Sequence, residues 1–125
     1  PEGIAVSPDG KRVWVGNRND KTVTVLAADD LSVVKTLPAP GVPLRIAFTP
    51  DGKSALVTEI MGGELAVFDA DKLAETKRVK LTGGKFTFDT PGPPPGPAGV
   101  AVSPDGTTAY CTVFFSRAVA VIDLS

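Results

Sequence analysis

The 125-residue chain has no histidine, and only one cysteine, one tryptophan, one tyrosine and one methionine. Without an imidazole there is no Ser-His-Asp triad, no Cys-His dyad and no histidine ligand for zinc, copper or haem. A single Cys111 allows no intrachain disulfide. On an apolar strand position it reads as a small core residue, because a reactive thiol needs an electropositive, accessible setting. Oxidising and reducing compartments stay equally open. Excess charge of either sign is also missing: 13 basic residues face 14 acidic ones, and the sequence pI is near 5.3. Nucleic acid is therefore not an expected partner, since its footprint is a basic stripe and the only basic cluster is Lys77, Arg78 and Lys80. That trio reads as a solvated edge strand, where lysine discourages pairing with other chains. No apolar run approaches the roughly 18 residues a membrane-crossing helix needs, and no span is expected. No signal peptide is visible, although a true N-terminus upstream of Pro1 would hide one. Helical periodicity is absent over any useful length.

Proline and glycine are plentiful, and they recur in order. Pro-Asp-Gly occurs at Pro8-Asp9-Gly10, Pro50-Asp51-Gly52 and Pro104-Asp105-Gly106, each time after Ser or Thr and a short apolar run. The first two copies lie 42 residues apart and the next two 54 apart, one period plus 12 inserted residues. A period of about 40 to 45 residues is the spacing of propeller blades. Ile4, Val6, Val13 and Val15 align with Ile46, Phe48, Ala55 and Val57, and then with Val100, Val102, Ala109 and Cys111. This alternation of apolar with small or polar residues means strands. Each unit reads as strand A (Gly3 to Ser7), a tight turn, strand B (Arg12 to Gly16), a loop, strand C (Thr22 to Leu26) and strand D (Val33 to Leu37). Strand C recurs at Glu64 to Phe68 and Ala118 to Ile122, and strand D at Thr76 to Leu81, with no third copy of D. In the turns Pro presets φ and Gly accepts φ > 0.

The carboxylates Asp29, Asp30, Asp69, Asp71, Asp89 and Asp123 are the nominal supply for a metal. Asp69 and Asp123 hold equivalent positions after strand C, and Asp9, Asp51 and Asp105 recur in the tight turns. Repetition of that kind points to side-chain bonds with nearby backbone N–H groups. No metal site and no cofactor are expected.

The segments PEGIAVSPDG, RVWVGN and TVTVLAADDLSVVKTL, with PAGVAVSPDG, TAYCTV and AVAVIDLS, resemble the YVTN-type β-propeller repeat over nearly the whole chain. The resemblance implies an all-β fold of radial four-stranded antiparallel blades. The expected boundaries are blade 1 at 1–42, blade 2 at 43–84, an inserted Pro/Gly-rich loop at 85–96 and an incomplete blade 3 at 97–125, all parts of one propeller domain. Closed propellers have about four to eight blades, so three leave two blade faces uncovered. Either these are blades of a longer chain, or two copies associate into a six-bladed ring. Many such propellers are exported or cell-surface proteins, so a periplasmic or surface location follows from the resemblance alone. The family further implies a non-catalytic module that binds a protein or a small ligand. One alternative is part of a propeller enzyme, lactonase-like or of the periplasmic amine dehydrogenase and redox type, with its catalytic residues on other blades. Another is an architectural repeat that assembles with copies of itself.

Antiparallel connection puts the A–B and C–D turns on one face, and the B–C loops and links between blades on the other. The second face also carries the insertion, and repeat insertions tend to mark a binding face. Its candidates are the places where the units differ. Arg45 stands where the other units have Gly3 and Gly99, and Glu59 and Val113 stand where the first has Asn17. A channel-mouth Arg45 suits an anionic ligand, or else a salt bridge with Glu59 or a neighbouring carboxylate. Arg18 and Arg117 lie in B–C loops. Phe86 and Phe88 lie in KFTFDTPGPPPG, whose Pro-rich tail should be stiff and extended. Phe114 and Phe115 should point to opposite sides, one into the core and the other to cap the channel or meet a partner. For the insertion itself the plain alternative is a decorated surface loop.

Overall fold

The computed structural model describes residues 1–81, 96–114 and 116–125. Among the described residues, eleven strands form three antiparallel sheets. The first is ordered β1 (Gly3–Val6), β2 (Arg12–Asn17), β3 (Thr22–Ala27), β4 (Val33–Pro38). The second repeats it with β5 (Pro43–Phe48), β6 (Ser54–Glu59), β7 (Glu64–Asp69) and β8 (Ala74–Lys80). The third has β9 (Gly96–Val102), β10 (Thr108–Phe114) and β11 (Ala118–Asp123). No helix occurs among the described residues, and none is long and apolar enough to cross a membrane. Of the 85–96 insertion only Gly96 is described, as the first residue of β9.

The Pro-Asp-Gly signature closes each first hairpin in the same way. The Gly10 N–H donates to Ser7 O at 2.8 Å, and Ser7 N–H to Arg12 O at 2.9 Å. The Asp9 carboxylate accepts from Ser7 Oγ at 2.6 Å and Lys11 N–H at 3.0 Å, while Arg12 N–H donates to Ser7 Oγ at 2.9 Å. Proline at the second turn position and glycine at the fourth suit a type I turn. Gly10, Gly52 and Gly106 have φ of 72°, 72° and 76°, a region L side chains enter only with strain. Other loops repeat as faithfully. Lys21, Gly63 and Arg117 occupy one loop position at φ 55°, 66° and 51°, and Leu31 and Leu73 another at 58° and 52°.

Period-two alternation sends one row of each sheet toward the next. Trp14, Val23 and Val25 pack on Ile46, Ala55, Val57, Ala66 and Phe68 of the second sheet. Leu56, Leu65 and Val67, on the opposite side of that sheet, pack on Ala109, Cys111, Val113, Ala120 and Ile122 of the third. Burial of each large side chain contributes roughly 1.5–3 kcal/mol. Trp14 sits edge-on to Phe48 and Phe68, with ring centroids 5.7 and 5.9 Å away. The sheets converge on their first strands, with β5 touching both β1 and β9. Cys111 is fully buried, and burial raises its thiol pKa to about 11.

Candidate binding face

Three backbone hydrogen bonds fasten the first inter-sheet link to the neighbouring loop. Ile60 N–H donates to Val42 O at 3.1 Å, while Met61 and Gly62 N–H donate to Gly41 O at 2.9 and 3.1 Å. The link between sheets and the loop between second and third strands therefore share one face. Val42 has φ 71°, an outlier for a β-branched residue that must be held by its surroundings. Beneath it lies Glu59, fully buried. Its Oε2 accepts from Gly41 N–H at 2.6 Å. A Cβ on Gly41 would lie 2.5 Å from that oxygen, so glycine is what allows the link to rest on the carboxylate.

Arg78 compensates the buried charge. Its Nη1 donates to Glu59 Oε2 and Glu64 Oε2, both at 2.9 Å, and its Nη2 to Glu59 Oε1 at 3.2 Å and Glu75 Oε2 at 2.7 Å. Nε completes the set with Glu75 Oε1 at 2.9 Å. A guanidinium has five N–H donors, and all five are engaged. Glu59 and Glu64 are direct cross-strand partners, and like charges so placed repel unless a cation lies between them. The carboxylates, Glu75 first and then Glu59, raise the Arg78 pKa further above its ordinary value. Arg78 is thus a half-buried structural cation, unlike the solvated Lys77 and Lys80 expected beside it.

Arg45 is exposed near the start of β5, and its Nη1 donates to Leu44 O at 3.0 Å. It makes no ion pair among the described residues, because the Glu59 carboxylate suggested for it belongs to Arg78. Its backbone N–H donates at 2.9 Å to Thr58 Oγ1, which in turn donates at 3.0 Å to Ala98 O in the third sheet. Asn17 Nδ2 donates to Thr22 and Thr24 Oγ1 at 3.2 and 2.8 Å, tying it to the adjacent strand. Arg18 pairs with Glu2 at 3.3 Å, both well exposed, a contact worth about 0–1 kcal/mol. Phe114 is half exposed at the end of β10, and Arg117 is exposed in the following loop. Phe86, Phe88 and Phe115 lie outside the described residues. No group of three or more carboxylate or thiol side chains suited to a metal occurs among the described residues.

Sequence reasoning missed Arg78 and Thr58. Glu59 carried the available signal, because it sits two residues beyond Val57 in a row that alternation marks as buried, and a buried carboxylate requires a cation.

No family model matches the chain, and no curated protein matches it. Solved structures do. It is similar to a chain of the Kuenenia stuttgartiensis hydrazine synthase, with 28% identity and a TM-score of 0.84, over 99% of this chain and 32% of that one. A protein of Bacteroides uniformis ATCC 8492, provisionally assigned as a 6-phosphogluconolactonase, gives 19% identity and 0.79 over 99% and 37%. A Lactobacillus plantarum protein gives 23% and 0.81 over the same shares. The chain spans about a third of the length of each. The fold is accordingly all-β and propeller-like, with the sheets as its blades.

Proposed function

We propose that this chain is a segment of a YVTN-type propeller that binds a small anionic ligand, or an acidic group of a partner protein, without turning it over. Its binding face is the one carrying the links, the loops after the second strands and the 85–96 insertion. The reading rests on Arg45. It is exposed near the start of an innermost strand where the equivalent units have glycine, and it lacks an ion pair among the described residues, while the nearby carboxylates serve Arg78 and Arg18. Guanidinium geometry favours carboxylate or phosphate. Asn17, Arg18, Phe114 and Arg117 complete the proposed face, together with Phe86, Phe88 and Phe115; Glu59 supports it from below.

The end faces favour continuation by more blades. Val119 and Val121 on the outer side of the third sheet are 57% and 68% exposed, whereas their equivalents Leu65 and Val67 are buried. Ile4 and Val6 on the outer side of the first are 70% and 57% exposed, whereas the equivalent Ile46 is buried. Thr112 accepts Gly99 N–H at 2.7 Å as Thr58 accepts that of Arg45, yet no carbonyl of a further sheet receives its hydrogen among the described residues. Those blades belong to a longer chain or to a second copy in a six-bladed ring, and sedimentation of the 125-residue chain separates the two.

Thermal-shift titration with a panel of carboxylates, phosphates and acidic peptides tests the binding reading. A ligand present at about 100 times its Kd should stabilise by about 2.7 kcal/mol. Arg45→Ala should abolish the shift and leave the unliganded transition in place, since the equivalent positions are glycine. A shift that survives Arg45→Ala rejects the assignment, and turnover of a lactone rejects the non-catalytic part.

A further inference from the structure

The face opposite the links carries a feature that one unit alone possesses. Consecutive Pro-Asp-Gly turns enclose pockets, one of about 660 Å³ between the second and third turns and one of about 430 Å³ between the first and second. The smaller is lined by Lys11, Arg12, Trp14, Asp51, Lys53 and Asp71, among others. Two of these hold buried donors with no acceptor among the described residues, Nη1 of Arg12 and the indole Nε1 of Trp14. Trp14 is fully buried, and its edge-to-face packing on Phe48 and Phe68 fixes the plane of the ring.

A buried N–H without a partner is costly, and native proteins rarely leave one. Two on residues that line one pocket point to an acceptor. The repeat supplies an internal control, because the larger pocket has Ser54 and Leu56 at the positions of Arg12 and Trp14 and holds no such orphan. Neither residue is required by the turn, which closes identically in all three units. The formal charges of the lining cancel, so the case for an anion rests on the two unmet donors. Lys11, Arg12 and Lys53 face three lining carboxylates, of which Asp9 and Asp51 are bound within their own turns by the Ser7 and Thr49 hydroxyls and the Lys11 and Lys53 amides, and Asp71 lies at the exposed rim.

We infer that this pocket binds an oxyanion, the carboxylate or phosphate group of a small solute, received by the Trp14 indole N–H and the Arg12 guanidinium. This site is separate from the Arg45 face and does not depend on it. Neither orphan atom is open to water as the side chains stand, so binding requires the groups covering both donors, the half-buried Arg12 among them, to shift.

Trp14 is the only tryptophan, so a ¹⁵N-labelled chain shows a single indole Nε1–H resonance. The test titrates sodium phosphate, and separately sodium acetate, into the millimolar range against sodium chloride at matched ionic strength. The expected result is a saturable shift of that resonance, with phosphate alone or acetate alone identifying the preferred oxyanion and both identifying a general oxyanion site. Arg12→Ser, the residue the next unit carries, should weaken binding roughly tenfold or more. Arg12→Lys, which keeps the charge but loses the fork, should fall between. Arg45→Ala should leave the titration unchanged. A resonance that responds to neither anion beyond chloride overturns the inference, leaving the indole N–H to a buried water or to the Phe48 ring. A shift that persists in a folded Arg12→Ser overturns it too.

Discussion

Replacing Arg78 with alanine should be among the most damaging substitutions outside the apolar core. Removing one partner of a buried ion pair costs about 3–5 kcal/mol, because the other charge is left uncompensated. Glu59 is fully exposed to that loss, being 0% accessible and bound twice by Arg78. Gly41 N–H remains as one donor to its Oε2, which argues for the lower end of the range. The bonds to Glu75 add little, since that side chain is one-third exposed and such pairs are worth about 0–1 kcal/mol. The expectation is about 3 kcal/mol, a large share of the 5–15 kcal/mol typical of a domain. Urea unfolding followed by Trp14 fluorescence reads it directly as a fall in midpoint. The double variant Glu59→Val with Arg78→Met should recover part of the loss, because no unpaired buried charge remains and the third sheet already has Val113 at the position of Glu59. An Arg78→Ala chain within about 0.5 kcal/mol of the parent, a range typical of surface substitutions, would refute the reasoning. So would a double variant less stable than the single one.

Three further outcomes are expected. Gly10→Val should destabilise by about 1–3 kcal/mol through strain alone, since a Cβ there meets nothing within 4 Å while φ is 72°; equal denaturation midpoints would contradict the turn assignment. Gly41→Ala should lower thermal stability by about 1–3 kcal/mol, because its Cβ would meet Glu59 Oε2 at 2.5 Å, Glu59 Cβ at 2.8 Å and the Gly62 backbone at 3.0 Å; an unchanged transition in a calorimetric scan would contradict that close approach. The Asp105 pKa is lowered to about 2 from an ordinary 3.8, first by the Ser103 hydroxyl and then by Thr107 N–H, with Asp9 and Asp51 lowered by Ser7 and Thr49 in the same manner. A lowered folded pKa stabilises above pH 3.8 and is lost as pH falls toward 2, so the turns should weaken across that interval. Carboxyl NMR titration of Ser103→Ala should return Asp105 toward 3.8, and an unchanged value would remove the hydroxyl as the cause.

Much of the architecture was legible before any coordinates. Alternation of Ile4, Val6, Val13 and Val15 set strands and rows, and the recurring Ser/Thr-Pro-Asp-Gly set the hairpins to within a residue or two, because both are short-range consequences of side-chain period and turn chemistry. The candidate face was legible only as a set of loops. Arg45, Arg18 and Arg117 could be placed there from connectivity, but whether each was free or paired could not.

The sequence by itself determined the repeat, the strand order within each sheet, the turn geometry and the side of each strand that must be buried, since all of these follow from contacts a few residues to one hairpin apart. Tertiary structure decided the rest. Glu59 and Arg78 are 19 residues apart in the chain and on non-adjacent strands, so their pairing required the pleat of a whole sheet to bring both onto one face. Thr58 found Ala98, 40 residues away, only once two sheets had packed. Trp14 was buried only when its sheet packed on Phe48 and Phe68 of the second, which leaves its indole N–H without an acceptor among the described residues. Local chemistry repeats from unit to unit, whereas charge compensation and unmet hydrogen bonds depend on which sheets come together.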